Sequence, residues 1–197
     1  MKFKGIILAG GKGTRLNPLT KSVNKHLLPI YNKPLIFYPL SILMLANIKE
    51  ILIIVNEEDY DSYKKLLGNG SRMGIKITYK IQEKPNGIPE AFTIGKDFIQ
   101  NSNVALILGD NFFYSQGLTE TLIQSQKNFN GAKIFCYKVK NPNEFGIAEI
   151  KNKKIISLKE KPNYSKSNLA ISGLYFFDKH VSRLALNLKK SKRKETE

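Results

Sequence analysis

The sequence is poor in cysteine and has no long hydrophobic run, and each shortage excludes a class of protein. Cys136 is the only cysteine, so no internal disulfide can form. Its apolar neighbours predict a buried, inert thiol rather than a nucleophile. No apolar run is long enough to cross a bilayer, and the short run Phe3–Ala9 leads into glycines rather than into a signal-peptide cleavage site. We therefore expect a cytoplasmic protein without a membrane partner.

Arginine is also scarce, which bears on the strong positive charge. The net charge is +16, yet Arg15, Arg72, Arg183 and Arg193 are the only arginines. Proteins that read bases or grip phosphates depend heavily on arginine, whereas here lysines are spread along the chain except for a basic run at 189–194. We interpret the charge as a solvated basic surface and expect no nucleic acid partner. The alternative, a basic nucleic-acid binder, predicts steeply salt-dependent affinity for DNA or RNA.

The first two thirds of the sequence alternate short apolar runs with helical patterns. Hydrophobic residues make up 42% of the 197 residues, which suits one α/β domain over residues 1–197. Five runs predict strands: Lys4–Ala9, Ile51–Val55, Ile75–Lys80, Val104–Gly109 and Ala132–Lys138. Helical spacing of apolar residues predicts helices at about 60–67, 88–99 and 118–129. Such alternation predicts a mostly parallel central sheet with helices on both faces.

The pattern changes after Lys138. Apolar residues at 148–150 and 155–158 flank Asn152-Lys153-Lys154 and predict a hairpin. Leu169–Phe177 predicts another strand. Asp178 is a candidate cap for a last helix that carries Val181, Leu184 and Leu188 on one face.

A glycine-rich loop, Gly10-Gly11-Lys12-Gly13-Thr14-Arg15, directly follows the first strand. Glycines at a strand end let backbone N–H groups approach a phosphate, although they also suit an ordinary tight turn. The loop matches neither the P-loop nor the dinucleotide fingerprint, because Lys12 lies between glycines and Leu16 stands where a third glycine is required. Cations at Arg15 and Lys25 can reach back over a triphosphate held by the loop.

Residues 8–34, with Leu27-Leu28-Pro29 and Lys33-Pro34 after the loop, resemble the sugar-1-phosphate nucleotidylyltransferase family, most closely its glucose-1-phosphate thymidylyltransferase branch. The resemblance continues to about Leu188. It implies a Rossmann-like nucleotidyltransferase fold in which Arg15 and Lys25 contact phosphates as catalytic residues. It also implies a set of loop residues that bind the nucleotide: Leu8, Gly10, Gly11, Gly13 and Thr14.

Two further segments are assigned to the nucleotide by the same resemblance. Gln82 and Gly87 lie in a Pro-Gly loop after a predicted strand and match family residues that contact the base; a glutamine amide can read a pyrimidine edge. Asp110 follows the strand that ends in Leu108-Gly109 and matches a metal-binding aspartate. One carboxylate together with phosphate oxygens suits Mg²⁺, and ligands of open α/β sheets sit beyond the strand ends. Taken alone, the Asp110-Asn111 pair also suits a turn.

The remaining matches concern the sugar phosphate. Gly146 matches a glycine near the sugar, but Phe145 stands where the family commonly has tyrosine, so one hydroxyl is missing. The resemblance assigns Glu160 to the sugar and Lys161, the third catalytic residue, to its phosphate. Asn168 falls in the next matching segment. Without the resemblance, Glu160 and Lys161 would read as a solvated ion pair.

The implied reaction joins dTTP and glucose 1-phosphate into dTDP-glucose and pyrophosphate, with Mg²⁺ as cofactor. Two alternatives stay open: a relative that uses UTP, and a nucleotide-binding protein with little activity. The second arises because the family continues past about Leu188 into a segment with a second metal-binding aspartate, which the resemblance places beyond this sequence. A homo-oligomer is compatible with the sequence, and His26 and His180 receive no role because they show no metal-ligand spacing.

Overall fold

The computed structural model describes residues 2–84, 86–152 and 154–188. Ten strands occur in these ranges: β1 Phe3–Leu8, β2 Pro29–Ile30, β3 Lys33–Pro34, β4 Glu50–Val55, β5 Lys76–Ile81, β6 Asn103–Leu108, β7 Ala132–Lys138, β8 Gly146–Lys151, β9 Lys154–Glu160 and β10 Leu169–Phe177. The α-helices there are α1 Phe37–Leu45, α2 Tyr60–Leu67, α3 Glu90–Ile94, α4 Lys96–Ile99, α5 Leu118–Ser125 and α6 Val181–Leu186. All eight strand predictions are confirmed to within two residues at each end; Lys153 of the predicted turn lies outside the described residues.

The first half of the main sheet is parallel, in the order β5-β4-β1-β6. These strands are β-branched and leucine-rich, and the middle ones are buried on both faces, as continuous apolar runs predict. Leu8 pairs with both Ile54 and Leu108, and Val55 pairs with Ile81. All four strands therefore end at one edge of the sheet, and the loops that follow them meet there.

The second half of the sheet is antiparallel. The last residues of β10 pair antiparallel with β6, and its first residues pair antiparallel with β8. Its other side pairs antiparallel with β7. The β8–β9 hairpin completes the sheet, as the sequence pattern predicts. β10 thus connects the parallel half to the hairpin, which brings the ends of β6 and β9 to the same side of the molecule.

Helices cover both faces of the sheet. The core on one face receives residues of α1, α2 and α5, for example Leu40, Tyr63 and Leu122. The opposite core receives residues of α3, α4 and α6, for example Phe92 and Ile99. Consecutive strand residues alternate between the two cores because a strand has a two-residue period. The predicted fold class, a mostly parallel central sheet with helices on both faces, is confirmed; the antiparallel strands joined through β10 make the complete sheet mixed.

The structure corrects several local predictions. Gly95 divides the helix expected over 88–99 into α3 and α4, and Phe129 packs on the core from outside α5. A helix that the periodicity did not indicate, α1, is present. On the last helix Val181 is buried as predicted, but Leu184 and Leu188 are 61% and 44% exposed, because α6 ends at Leu186 and turns Ala185 inward. Asp178 does accept the His180 N–H at the start of that helix.

Cys136 is half-buried rather than buried; it lies on β7, which pairs with β10 beside the main order of the sheet and has no fully buried residue. Burial still raises the pKa of its thiol, which agrees with the expected low reactivity. Among the helices of the described ranges, none combines the length and the apolar character that crossing a bilayer requires.

Candidate active site

The glycine loop leaves β1 and passes over the end of the sheet. Gly13 adopts a left-handed backbone (φ 62°) and starts a short 3-10 turn, Thr14–Leu16. The Thr20 hydroxyl donates to the Gly13 carbonyl at 2.8 Å, which closes the loop. A β-carbon on Gly13 would lie 2.9 Å from Cβ of Lys25. The lysine side chain therefore crosses the loop at a point where only glycine fits.

Lys25 extends across this loop to Asp110, the aspartate that follows β6. Its Nζ lies 2.5 Å from Asp110 Oδ2, and the two side chains are 20% and 39% exposed. Burial raises the pKa of Asp110, but the hydrogen bond and the charge of Lys25 outweigh it and hold that pKa below its usual value. The carboxylate is thus ionised and paired with a cation at the edge of the sheet.

Two cavities meet at this ion pair. The first, of about 230 Å³, is lined on the side of β5 by Gln82 and Gly87 and on the other sides by Leu8, Gly11, Lys25 and Asp110. The second, of about 490 Å³, is lined by Gly13, Thr14, Arg15, Lys25 and Asp110. A base-sized recess and a cationic recess therefore adjoin, joined by one lysine and one aspartate. The structure brings these predicted nucleotide residues together around one centre.

Gln82 is buried, at 4% exposure, and its amide is held in place from two sides. A β-carbon on Gly10 would lie 2.5 Å from Gln82 Oε1, so this oxygen packs against the bare backbone of the glycine loop. Gln82 Nε2 donates to the carboxylate of Glu90, the first residue of α3, at 2.5 Å. Gly10 is therefore brought to the site by its contact with Gln82.

The predicted sugar residues form a second group, on the β8–β9 hairpin and β10. Gly146 pairs with Glu160 across the hairpin, and a β-carbon on Gly146 would meet Glu160 Oε2 at 2.9 Å. The Lys161 N–H donates to the Phe145 carbonyl at 3.0 Å, and the carbonyl of exposed Asn168 accepts from the Val139 N–H at 2.9 Å. Lys161 is exposed and has a left-handed backbone (φ 41°), which is uncommon for a residue with a side chain.

β10 connects this second group to Asp110. Ile171 of β10 would touch a β-carbon on Gly146, and two residues further on the Gly173 N–H donates to Asn111 Oδ1 at 3.1 Å. A β-carbon on Gly173 would collide with the Asn111 amide. Asn111 directly follows Asp110. The hairpin group therefore lies about 7 Å along one strand from the aspartate loop.

His26, to which the sequence analysis gave no role, lies beneath the ion pair. It is 2% exposed, and its ring packs against Gly109, where a β-carbon would lie 2.9 Å from the ring. Its Nδ1 is 2.7 Å from Asn24 Oδ1 and 3.1 Å from the Tyr63 hydroxyl. Burial, and then the charge of Lys25, lower its pKa to about 3, so the ring is neutral. Polar Asn24-Lys25-His26 before apolar Leu27-Leu28 is the sequence signal that could have indicated a buried anchor.

Asn24 anchors the turn from which Lys25 projects. Its Oδ1 accepts from the backbone N–H of His26 at 3.0 Å, and its Nδ2 donates to Asp59 at 2.6 Å. Lys25 therefore lies between two buried neighbours that hydrogen-bond to each other. Among the described residues, no group of three or more His, Cys, Asp or Glu side chains is arranged for metal binding.

The chain is similar in sequence to known proteins along almost its whole length. A family model described as nucleotidyl transferase matches residues 4–197. A glucose-1-phosphate thymidylyltransferase from Neisseria meningitidis serogroup A is 53% identical over 99% of this chain and 68% of its own length. The enzyme of that name from Mycobacterium tuberculosis is 47% identical over the same shares of both chains. The chain thus spans about two thirds of these curated relatives.

Two solved structures are similar in fold. One, a Bacillus anthracis protein assigned as a glucose-1-phosphate thymidylyltransferase and bound to a sucrose, is 39% identical with a TM-score of 0.89, covering 99% of this chain and 79% of that one. The other, a UDP-glucose pyrophosphorylase complexed with UDP-glucose, is 26% identical with a TM-score of 0.80, covering 100% of this chain and 83% of that one.

Proposed function

Because the chain belongs to the nucleotidyl transferase family, we propose that it transfers a thymidylyl group from dTTP to glucose 1-phosphate, which gives dTDP-glucose and pyrophosphate. The observation that carries this proposal is the similarity, at 53% identity over almost the whole chain, to a glucose-1-phosphate thymidylyltransferase. The two adjoining cavities at Lys25 and Asp110 support it, because they offer separate places for a base and for phosphates.

The nucleotide binds, in this proposal, with its base in the first cavity and its phosphates over the glycine loop. Gln82 and Gly87 contact the base, and Leu8 lies beside it. Arg15 and Lys25 contact the phosphates, together with the backbone of the loop residues Gly10, Gly11, Gly13 and Thr14. Arg15 is exposed and lines the second cavity, so its guanidinium is available to an anion.

The sugar phosphate binds between the aspartate loop and the hairpin. Gly146, Glu160 and Asn168 contact the sugar, and Lys161 contacts its phosphate. The left-handed backbone of Lys161 supports this role, because such conformations cost free energy and concentrate at functional sites. Phe145 carries no hydroxyl, so the sugar is held there by backbone groups.

The reaction is a single in-line displacement. An oxygen of the sugar 1-phosphate attacks the α-phosphorus of dTTP, a new P–O bond forms, and the bond to the β-phosphate oxygen breaks as pyrophosphate leaves with that electron pair. The nucleophile is already an anion, so no protein base and no covalent intermediate are needed. The protein brings two anions together, aligns them and neutralises charge, which is the task of Lys161, Lys25 and Arg15.

Asp110 is the residue that would hold Mg²⁺. Its ionised carboxylate is partly exposed at the junction of the two cavities, and a single carboxylate fits an ion that takes its other ligands from phosphate oxygens and water. Bound there, the ion would supply charge neutralisation on the phosphates. Lys25 would then exchange its contact with Asp110 for a phosphate oxygen.

We also propose that the chain forms one domain and is cytoplasmic. The sheet passes without interruption from the nucleotide residues to the sugar residues, which favours a single domain over residues 1–197. The chain has a single cysteine and so cannot form an internal disulfide, which is typical of cytoplasmic proteins.

A UTP-using enzyme is the second candidate, favoured by the similarity to the UDP-glucose pyrophosphorylase. Thymine and uracil present the same hydrogen-bonding edge, so Gln82 accommodates either. The lower identity, 26% against 53% for the thymidylyltransferase, makes dTTP the preferred substrate.

The test is a pyrophosphate-release assay with glucose 1-phosphate, Mg²⁺ and each nucleoside triphosphate in turn. We expect the highest release with dTTP. Higher release with UTP would support the second candidate. Tight binding of dTTP without any release would instead identify a nucleotide-binding protein that lacks this activity, and absence of both would contradict the proposal.

A further inference from the structure

Glu90 occupies the place behind the amide of Gln82, and nothing in its sequence context beyond a helix start indicated a role. Its Oε2 accepts from Gln82 Nε2 at 2.5 Å and from the Asn86 N–H at 3.3 Å, and its Oε1 accepts from Asn86 Nδ2 at 2.8 Å. One half-buried carboxylate thus holds the strand end at Gln82 and the loop at Asn86.

A carboxylate partner determines which way the glutamine amide points. The two ends of an amide are almost equal in shape but opposite in hydrogen bonding, because the NH₂ donates and the oxygen accepts. A carboxylate accepts only. Glu90 therefore admits the orientation with Nε2 toward itself and disfavours the reverse, in which two oxygens would face each other.

The other edge of the amide is the one available to a ligand. Gln82 lines the first cavity together with Leu8 and Gly11 of the glycine loop, whereas Glu90 approaches from the helix side. The amide oxygen lies against Gly10, at the base of the loop. A ligand in the cavity can therefore donate to the Gln82 amide oxygen and accept from the second hydrogen of Nε2.

We propose that Glu90 is a positioning residue that sets base specificity by fixing the amide of Gln82. This rests on the proposed function, in which the first cavity takes the base. Thymine and uracil carry an N–H at position 3 next to a carbonyl oxygen, so they pair with an acceptor and a donor in the order that the fixed amide presents. Cytosine has the opposite order, an acceptor at position 3 beside an NH₂, and would need the reversed amide.

The test compares the dissociation constants of dUTP and dCTP, which differ only at this edge, by equilibrium titration of the purified chain in Mg²⁺-containing buffer. The wild type should bind dUTP at least about tenfold more tightly than dCTP. In Glu90→Gln the new amide can donate or accept, so Gln82 can turn either way. The dUTP/dCTP preference should then fall about tenfold, as the loss of one two-point contact to a base predicts.

Glu83→Gln is the matched control, because it makes the same change of a glutamate to a glutamine at an exposed position next to Gln82. Loss of a negative charge should strengthen binding of both nucleotides and leave their ratio unchanged. Glu90→Ala, which also frees the amide, gives a second reading, and its thermal unfolding checks that the chain is folded.

An unchanged dUTP/dCTP ratio in both folded Glu90 variants would overturn the assignment of Glu90 while leaving the proposed function intact. A wild type that binds neither dUTP nor dTTP would overturn the proposed function, and the role of Glu90 with it.

Discussion

Lys25 Nζ and Asp110 Oδ2 lie 2.5 Å apart although 85 positions separate them in the sequence. The pair joins the loop after β1 to the loop after β6, which are neighbouring parallel strands. In the proposed function the two partners contact different parts of the substrate complex, the lysine the phosphates and the aspartate Mg²⁺. The two side chains should therefore separate when nucleotide and metal bind.

Asp110→Asn should impair the use of Mg²⁺ more than nucleotide binding itself. The change keeps the shape of the side chain but removes the charge that suits a hard cation. We expect the Mg²⁺ concentration for half-maximal pyrophosphate release to rise at least about tenfold. Magnesium titrations of the wild type and the variant at saturating dTTP measure this. Identical curves would remove Asp110 from the metal site.

Lys161→Ala should lower kcat by roughly 10²–10³, the scale for loss of one preorganised charged donor. Lys159→Ala is a suitable control, because Lys159 lies two residues earlier on β9 and pairs with Glu149 at 3.0 Å, away from the proposed phosphate contact. It should retain wild-type turnover. Comparable turnover in the two variants would show that Lys161 does not contact the phosphate.

Asn24→Ala should destabilise the fold more than Tyr63→Phe. The Asn24 oxygen accepts from the His26 N–H, and it lies 2.7 Å from His26 Nδ1 and 3.2 Å from the Tyr63 hydroxyl, all of them buried. Removing the Asn24 side chain takes away the acceptor of the buried His26 N–H and one partner each of His26 Nδ1 and the Tyr63 hydroxyl, at a cost of about 3 kcal/mol in the free energy of unfolding. Tyr63→Phe removes one donor, at about 1 kcal/mol. Urea denaturation measures both. Equal effects would mean that Asn24 is not the centre of this network.

His26 should make the protein less stable in mild acid. Its pKa is lowered to about 3 in the folded chain, from about 6.5 when unfolded, so between these values the unfolded state binds the extra proton. Stability is therefore fully present above pH 6.5 and falls as the pH drops toward 3. The groups that face the ring are Lys25, Asp110 and Tyr63.

Between pH 7 and pH 5 the loss should be on the order of 2 kcal/mol. Denaturant unfolding at several pH values, compared with His26→Gln, isolates the contribution of this residue. The variant is expected to be less stable at pH 7 but to have a shallower pH dependence. Parallel curves for the two proteins would assign the acid sensitivity to other groups.

Local sequence features predicted most of the elements and the place of the glycine loop after β1. Continuous apolar runs mark strands that are buried on both faces, so β1, β4 and β6 are recognisable without any tertiary information. The order of Gly10, Gly11 and Gly13 after β1 likewise indicates a close backbone approach. The hydrophobic pattern did not predict the break at Gly95 or the helix α1, because packing against the sheet outweighs the weak periodicity of these segments.

The sequence by itself determined which residues are chemically suited to phosphates and to a base, because charge, amide groups and glycine backbones are local properties. Only the tertiary structure decided which of them meet. Lys25 reaches Asp110, Gln82 donates to Glu90, and His26 lies under Gly109, because parallel strands end together at one edge of the sheet. Such pairings depend on strand order and on distances of a few ångströms, which spacing along the chain does not encode.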